Sequence, residues 1–248
     1  MSVPTDEVWK TSALVAAFLK GVRGAIPLAG EQIDVMLRLL AASGVPIRRF
    51  LDLGCGDGIL SAAIVERFPQ AEAVLTDFSA PMLAAARARF EQLNTPARIV
   101  NLDYGVANWT ESVNEFAPYD AVVSGYSIHH QPDERKREVY AEIFALLRPG
   151  GTFVNVEHVS SPSEWIESIH DELFVDHLHR AHPGASRAEV AEKYYYRPDK
   201  AANILAPVEL QCEWLRGIGF TDVDCYLKIF ELAVFGGRRP ALDVVEDA

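Results

Sequence analysis

The chain has 248 residues, 49% of them hydrophobic, with a formal net charge of −12 and three cysteines. That length suffices for one large α/β domain, and the acidic balance argues against a general nucleic-acid or anionic-membrane surface and for small-molecule chemistry. Cys55, Cys212 and Cys225 are odd in number and imply no disulfide framework, so a reducing cytoplasm fits.

Residues 7–20, with Val8, Trp9, Leu14, Val15, Phe18 and Leu19, predict an amphipathic helix. Asp6, Glu7, Lys20 and Arg23 interrupt its apolar run, which fits neither a signal peptide nor a membrane span. Gly21 through Gly30 break the pattern, and Gln32 to Ala42 predict a second helix. Residues 1–45 thus read as a helical cover preceding the first strand, with Arg23 either free to meet a ligand carboxylate or a surface arginine of a Gly/Pro loop.

Phe50-Leu51-Asp52-Leu53-Gly54-Cys55-Gly56-Asp57-Gly58 then reads as a strand and a tight loop, followed by the helix beginning at Ile59. The glycines let a ligand approach main chain. Their spacing differs from the G-x-G-x-x-G that places a pyrophosphate on a helix N-terminus, so a nucleotide-like ligand without phosphates is expected. A second strand, Ala73 to Thr76, ends in Asp77-Phe78-Ser79, with Asp77 where a ribose diol finds its carboxylate. Ser79 suits a helix N-cap before Pro81 and Met82. A third strand, Ile99 to Leu102, ends in Asp103 and Tyr104, where an acid can accept from an adenine amino group.

Asp52-x-Gly54-x-Gly56-x-Gly58, Asp77-Phe78-Ser79-x-x-Met82 and Asp103, in this order and spacing, resemble the class I S-adenosylmethionine-dependent methyltransferases over about residues 45–157. The resemblance implies an α/β, Rossmann-like, seven-stranded and mostly parallel sheet with an antiparallel terminal hairpin. It implies S-adenosyl-L-methionine as cofactor, held by Asp52, Gly54, Cys55, Gly56, Gly58, Asp77, Phe78, Met82, Asp103, Tyr104 and Gly125.

Asn108 to Phe116 predict a short helix, and Tyr119 to Ser124 a fourth strand whose exit runs from Gly125 to His130. Ligands sit beyond the carboxyl ends of such strands, which makes Tyr126 an acceptor contact and His129 or His130 a candidate general base. The alternative for either ring is a satisfied structural histidine. A helix over Asp133–Leu147 stops at Arg148-Pro149-Gly150-Gly151, and the fifth strand, Thr152 to His158, brings Glu157 and His158 to the same edge.

Residues 159–206 form an insertion where a minimal fold needs a short loop. Ser163 to Arg180 and Ala188 to Tyr196 have helical spacing, and the stretch reads as a lid with Tyr195 and Arg197 facing an acceptor. Of His170, His177, His179 and His182, only the last two stand one turn apart, so no metal is expected. Helix Val208–Arg216 precedes two closing strands, Phe220–Phe230 and Leu232–Gly237, which predict a hairpin at a sheet edge.

Together these point to methyl transfer to a small-molecule acceptor, without nucleic acid or membrane, by a single domain for which a homodimer is compatible. Within the superfamily the Arg23-to-Pro27 loop, the insertion and the Phe220-to-Gly236 ending also resemble carboxy-S-adenosylmethionine synthases of tRNA wobble-uridine modification. That branch implies a tyrosine soon after Pro27 and an asparagine after the fourth strand; Leu28-Ala29-Gly30 and Gly125 stand there instead. A non-catalytic cofactor-binding subunit is the third alternative, disfavoured by the intact motif set. A nucleic-acid methyltransferase is disfavoured by charge and by the lack of an Asn/Asp-Pro-Pro-Tyr motif.

Overall fold

A computed structural model describes residues 5–197, 200 and 202–242. Its centre is a seven-stranded sheet in the order β3-β2-β1-β4-β5-β7-β6. The strands are β1 (Arg49–Leu53), β2 (Glu72–Asp77), β3 (Ala97–Asn101), β4 (Tyr119–Gly125), β5 (Leu147–His158), β6 (Thr221–Ile229) and β7 (Leu232–Arg238). The first five run parallel, while β7 enters antiparallel between β5 and β6. A two-residue connection, Phe230-Glu231, joins the last two strands, so His158 pairs with Leu232 at the sheet's carboxyl edge.

Successive strand residues point to opposite faces, and both faces are covered, which is why the strands read as continuous apolar runs. Leu51, Val122, Phe153 and Phe235 pack with α5 (Asp133–Leu146) and α8 (Val208–Ile218). Their neighbours Phe50, Val123, Val154 and Val234 pack with α2 (Ala29–Ala41), α3 (Ile59–Arg67) and α4 (Ala80–Gln92) on the other side. A third apolar cluster lies apart from the sheet: Val22 and Ala25 meet Val175, Leu178, Val190, Ala191 and Tyr195. It ties α1 (Ser12–Gly21) and the turn Arg23–Ala25 to the insertion, which holds α6 (Glu164–Ala181) and α7 (Arg187–Val190).

The fifth strand begins at Leu147 instead of Thr152 and takes in Arg148, Pro149, Gly150 and Gly151, expected as a turn, and three further elements differ from the sequence reading. The helix expected over 7–20 is a 3-10 turn, Thr5–Lys10, followed by α1, with the break at Thr11. Asn108–Phe116 forms two 3-10 turns, Trp109–Ser112 and Asn114–Phe116, because Trp109 and Val113 are pulled into the core over a stretch too short for helical hydrogen bonding to compete. Ala188–Tyr196 is divided between α7 and a widened π turn, Ala191–Tyr195. The expected lid also takes in Pro198, Asp199 and Ala201, which lie outside the described residues. Among the described residues no single helix is long and apolar enough to cross a membrane.

Candidate cofactor and acceptor site

A cavity of about 170 Å³ opens at the carboxyl edge of β1, β2, β4 and β5 and is closed over by the N-terminal segment and the insertion. Its floor begins at the loop after β1, where Gly54, Gly56 and Gly58 all have positive φ. A Cβ on Gly54 would stand 1.9 Å from Ser127 Oγ, so this glycine makes room for the protein's own chain. Gly58 packs against Leu75 and Phe90, and it lines neither this cavity nor the smaller one beside it. At Gly56 the Cβ position faces the cavity, with Arg23 Nη2 at 3.8 Å and Met82 Sδ at 3.9 Å. The loop therefore keeps a hollow open at its middle residue.

The strand-end acids take three different environments. Asp77 is buried, accepts the N–H groups of Gly56 (2.9 Å) and Ser79 (2.8 Å), and lines the cavity with Phe78 and Met82. Burial pushes its carboxyl up to about 6 against those hydrogen bonds. Asp52 is buried beneath the loop, accepts from Ser61 Oγ at 2.6 Å, and has its other oxygen unpartnered; burial pushes it up to about 7. It lines a smaller adjoining cavity, as does Cys55, whose residue sits in the apolar cluster with Ile64 and Leu75.

Asp103 and Tyr104, expected to contact a ligand, stand outside both cavity walls. Asp103 accepts the N–H of Gly105 at 2.7 Å, and the Tyr104 hydroxyl is spent on Ser127 Oγ at 2.6 Å. Trp9, which the sequence reading missed as a site residue, lines the cavity, and its carbonyl accepts from Ser79 Oγ at 2.6 Å.

Arg23 lines the cavity but is not a free cation. It pairs with Asp57, which also pairs with Arg89 of α4. Burial alone would raise the Asp57 carboxyl; the two guanidiniums outweigh it and hold it below its ordinary value. Arg197 lines the wall farther along, 5.7 Å from the Phe18 ring centroid. Gly125 and Tyr126 line the same wall, and the Tyr126 hydroxyl donates to Gln32 Oε1 at 2.5 Å.

The exit of β4 delivers the histidines. Tyr126 has φ 52° and turns the chain into the 3-10 turn Ile128–His130. His129 Nδ1 lies 2.6 Å from Glu157 Oε1, and the same carboxylate accepts the His129 and His158 main-chain N–H groups. A carboxylate only accepts, so it fixes the tautomer with the proton on Nδ1 and leaves Nε2 as an acceptor. His130 Nδ1 lies 3.1 Å from the Ala202 carbonyl, and burial with the neighbouring His129 holds His130 well below its ordinary pKa. His158, Tyr195, His170, Phe174, Lys200 and Asn203 complete the far end.

His177, His179 and His182 do not join His170. His182 stacks on Tyr194 and bonds to the Leu178 carbonyl, whereas His170 meets His158 and Glu231. Glu231 was missed because nothing around it in the chain marks a hairpin residue as buried.

A family model described as a methyltransferase domain matches residues 50–151. An uncharacterized methyltransferase of Mycobacterium tuberculosis is 38% identical over 110 residues, 44% of this chain and 50% of that protein, so the chain spans about half the length of this relative. Trans-aconitate 2-methyltransferase of Variovorax paradoxus is 31% identical over 73% of this chain and 72% of its own length. Carboxy-S-adenosyl-L-methionine synthase of Chromohalobacter salexigens is 29% identical over 94% and 84%. Among solved structures, human N-acetylserotonin methyltransferase in complex with S-adenosylmethionine has the same fold, with TM-score 0.61, 13% identity, and coverage of 97% of this chain and 60% of that one.

Proposed function

Because the chain belongs to the class I S-adenosylmethionine-dependent methyltransferases, we propose that it transfers a methyl group to a small-molecule acceptor seated in the cavity beside His129. Its cofactor is S-adenosylmethionine, which supplies a methyl group on a sulfonium that is already a good leaving group. Asp77 would take the ribose hydroxyls, main chain at Gly54 and Gly56 would lie against the amino-acid portion, and Phe78 and Met82 would flank the base. The hollow at Gly56 fits this assignment, since a side chain there would fill it.

The observation that carries the acceptor chemistry is the 2.6 Å contact between His129 Nδ1 and Glu157. With Nδ1–H donated to a buried carboxylate, Nε2 is the basic atom, and the imidazolium formed on taking a proton is stabilised where it sits. His129 thus accepts the proton of a hydroxyl or amine acceptor, and Glu157 positions the ring. Aligning acceptor, methyl and sulfur in one dry cavity supplies up to about 7–11 kcal/mol of the barrier reduction.

A second reading, manufacture of a carboxylated cofactor, draws support from the synthase similarity along most of the chain and from Arg197 in the cavity wall. It needs hydrogen-bond donors for an added carboxylate, yet Leu28-Ala29-Gly30 and Gly125 occupy the implied tyrosine and asparagine positions. Mass spectrometry of ligand released from the purified protein separates the two, since a species heavier by one carboxylate would establish the synthase. The test of the main reading is calorimetry with Asp77→Ala, followed by labelled-methyl incorporation into a panel of phenols, acids and amines. Loss of a buried charge-assisted hydrogen bond should weaken cofactor binding by about 1.5–3 kcal/mol. Unchanged affinity would end the cofactor assignment.

A further inference from the structure

We infer that His158, His170 and Glu231 form a site for one divalent transition-metal ion at the acceptor end of the cavity. The three residues come from separate elements: the last position of β5, helix α6 of the insertion, and the connection between β6 and β7. Their ligand atoms all lie within 4.8 Å of one another. His158 Nε2 stands 2.8 Å from Glu231 Oε2, and His170 Nε2 stands 3.7 Å from the same oxygen. Ligand bonds of about 2.0–2.2 Å put neighbouring donors about 3.0–3.6 Å apart, so small shifts of these side chains suffice to close around an ion.

Two features of the trio suit a cation, beside the hydrogen bond that Glu231 already shares with His158. A carboxylate in a two-residue strand connection ordinarily points to water, yet Glu231 is only 5% exposed and lies against two imidazoles. Burying that charge is costly unless it is paired or bound to a cation. His170 is 1% exposed, its Nδ1 has no hydrogen-bond partner, and its Nε2 is beyond hydrogen-bond reach of Glu231. Buried ring nitrogens are normally satisfied, and a metal on His170 Nε2 would give that nitrogen a partner. Lys200 of the cavity wall is turned elsewhere: its Nζ lies 3.9 Å from the Tyr195 ring centroid and 3.6 Å from Asp171.

Asn203 Nδ2 is 3.5 Å from His158 Nδ1, and turning this amide presents its oxygen to the Nδ1–H that ligation through Nε2 requires. Two imidazoles and one carboxylate suit Zn²⁺, Fe²⁺ or Co²⁺, and three protein ligands leave coordination positions open. His158 and His170 both line the cavity, and the His158 ring centroid is 5.7 Å from that of His129. The open positions thus suit an acceptor that binds through oxygen, a role that rests on the methyl-transfer reading, whereas metal binding itself does not. The spacing of the histidines within the insertion points to no metal, because His158 and Glu231 meet His170 only through the tertiary fold.

The test uses the full chain, stripped with chelator and dialysed against ZnCl₂ and, separately, CoCl₂, with bound metal counted by elemental mass spectrometry. One equivalent is expected, with affinity weakened at least about 100-fold in His170→Ala and Glu231→Gln and about 10–100-fold in Asn203→Ala. Retained cofactor affinity in each variant shows that it is folded. Failure of the wild-type chain to hold one equivalent would overturn the site. So would binding that survives His170→Ala and Glu231→Gln but disappears with His179→Ala, which would mark surface histidines. Calorimetry with S-adenosylmethionine on the metal-free protein keeps the two ideas apart: cofactor affinity in a chain that then takes up no equivalent of metal sinks only the metal site, and metal uptake by a chain with no cofactor affinity sinks only the methyl-transfer reading.

Discussion

At Gly56, the Cβ position opens into the cavity at ordinary contact distance from Arg23 and Met82, while the backbone sits at φ 54°. Gly56→Ala is therefore expected to keep the fold at a cost of about 1–2 kcal/mol for the left-handed backbone. It should weaken S-adenosylmethionine binding at least ten-fold by filling the hollow; calorimetric affinity equal to wild type would show that the hollow is not the cofactor's. Asp52 gives a second residue-scale expectation. Burial raises its carboxyl from 3.8 to about 7, opposed by the Ser61 hydrogen bond and Arg23. Between those values the folded chain holds a proton that the unfolded chain has released, so stability contributed by this group is full below about pH 4 and falls as pH rises toward 7. Asp52→Asn removes the penalty. Its melting temperature should match wild type near pH 4 and exceed it at pH 8, by about 2–4 °C for each kcal/mol relieved. A constant difference across that range would mean that Asp52 does not titrate as its burial implies.

Strand ends and the segments that cross them build the site, and they differ in how legible they were. The loop after β1, the acid at the end of β2 and the Ser79 cap are short-range patterns, and each element formed where hydrophobic period and turn residues placed it. Arg23 was expected to wait for a ligand carboxylate, but an acid 34 residues away took it, and no local signal announces a tertiary ion pair. Tyr104 likewise reads as a strand-end site residue, and its side chain turns into the core beneath Ser127. The His129–Glu157 pair joins the 3-10 turn after β4 to the end of β5, 28 residues on, through the parallel pairing of those strands. If the pair works as a unit, His129→Gln should lower kcat by about 10²–10⁴ for a hydroxyl or amine acceptor. Glu157→Gln should lower it at least ten-fold and distort the pH profile, because the wrong tautomer can then be held. Both variants should bind cofactor normally. Full activity in His129→Gln would remove the base from the mechanism.

Across the whole molecule, the antiparallel insertion of β7 brings the histidine side of β5 to the hairpin that carries Glu231. That placement requires β7 to approach β5 with nothing between the backbones at Gly236, where a Cβ would stand 2.0 Å from the Phe153 carbonyl oxygen and 2.9 Å from its carbon. Neither atom belongs to a flexible side chain, so the clash can be relieved only by moving a central strand pair buried on both faces. Gly217, in α8, is the natural control, since nothing lies within 4 Å of its Cβ position and its backbone is unstrained for an L-residue. Gly217→Ala should stabilise the protein by about 0.5–1 kcal/mol through helix propensity and a less flexible unfolded chain. Gly236→Ala should destabilise it by more than about 4 kcal/mol, among the largest effects of single substitutions, and carry the cofactor site away with the fold. Chemical denaturation of the two variants in parallel measures both. A Gly236→Ala protein within about 1 kcal/mol of wild type would mean that β7 does not lie against β5 in this register, a register on which the position of Glu231 depends.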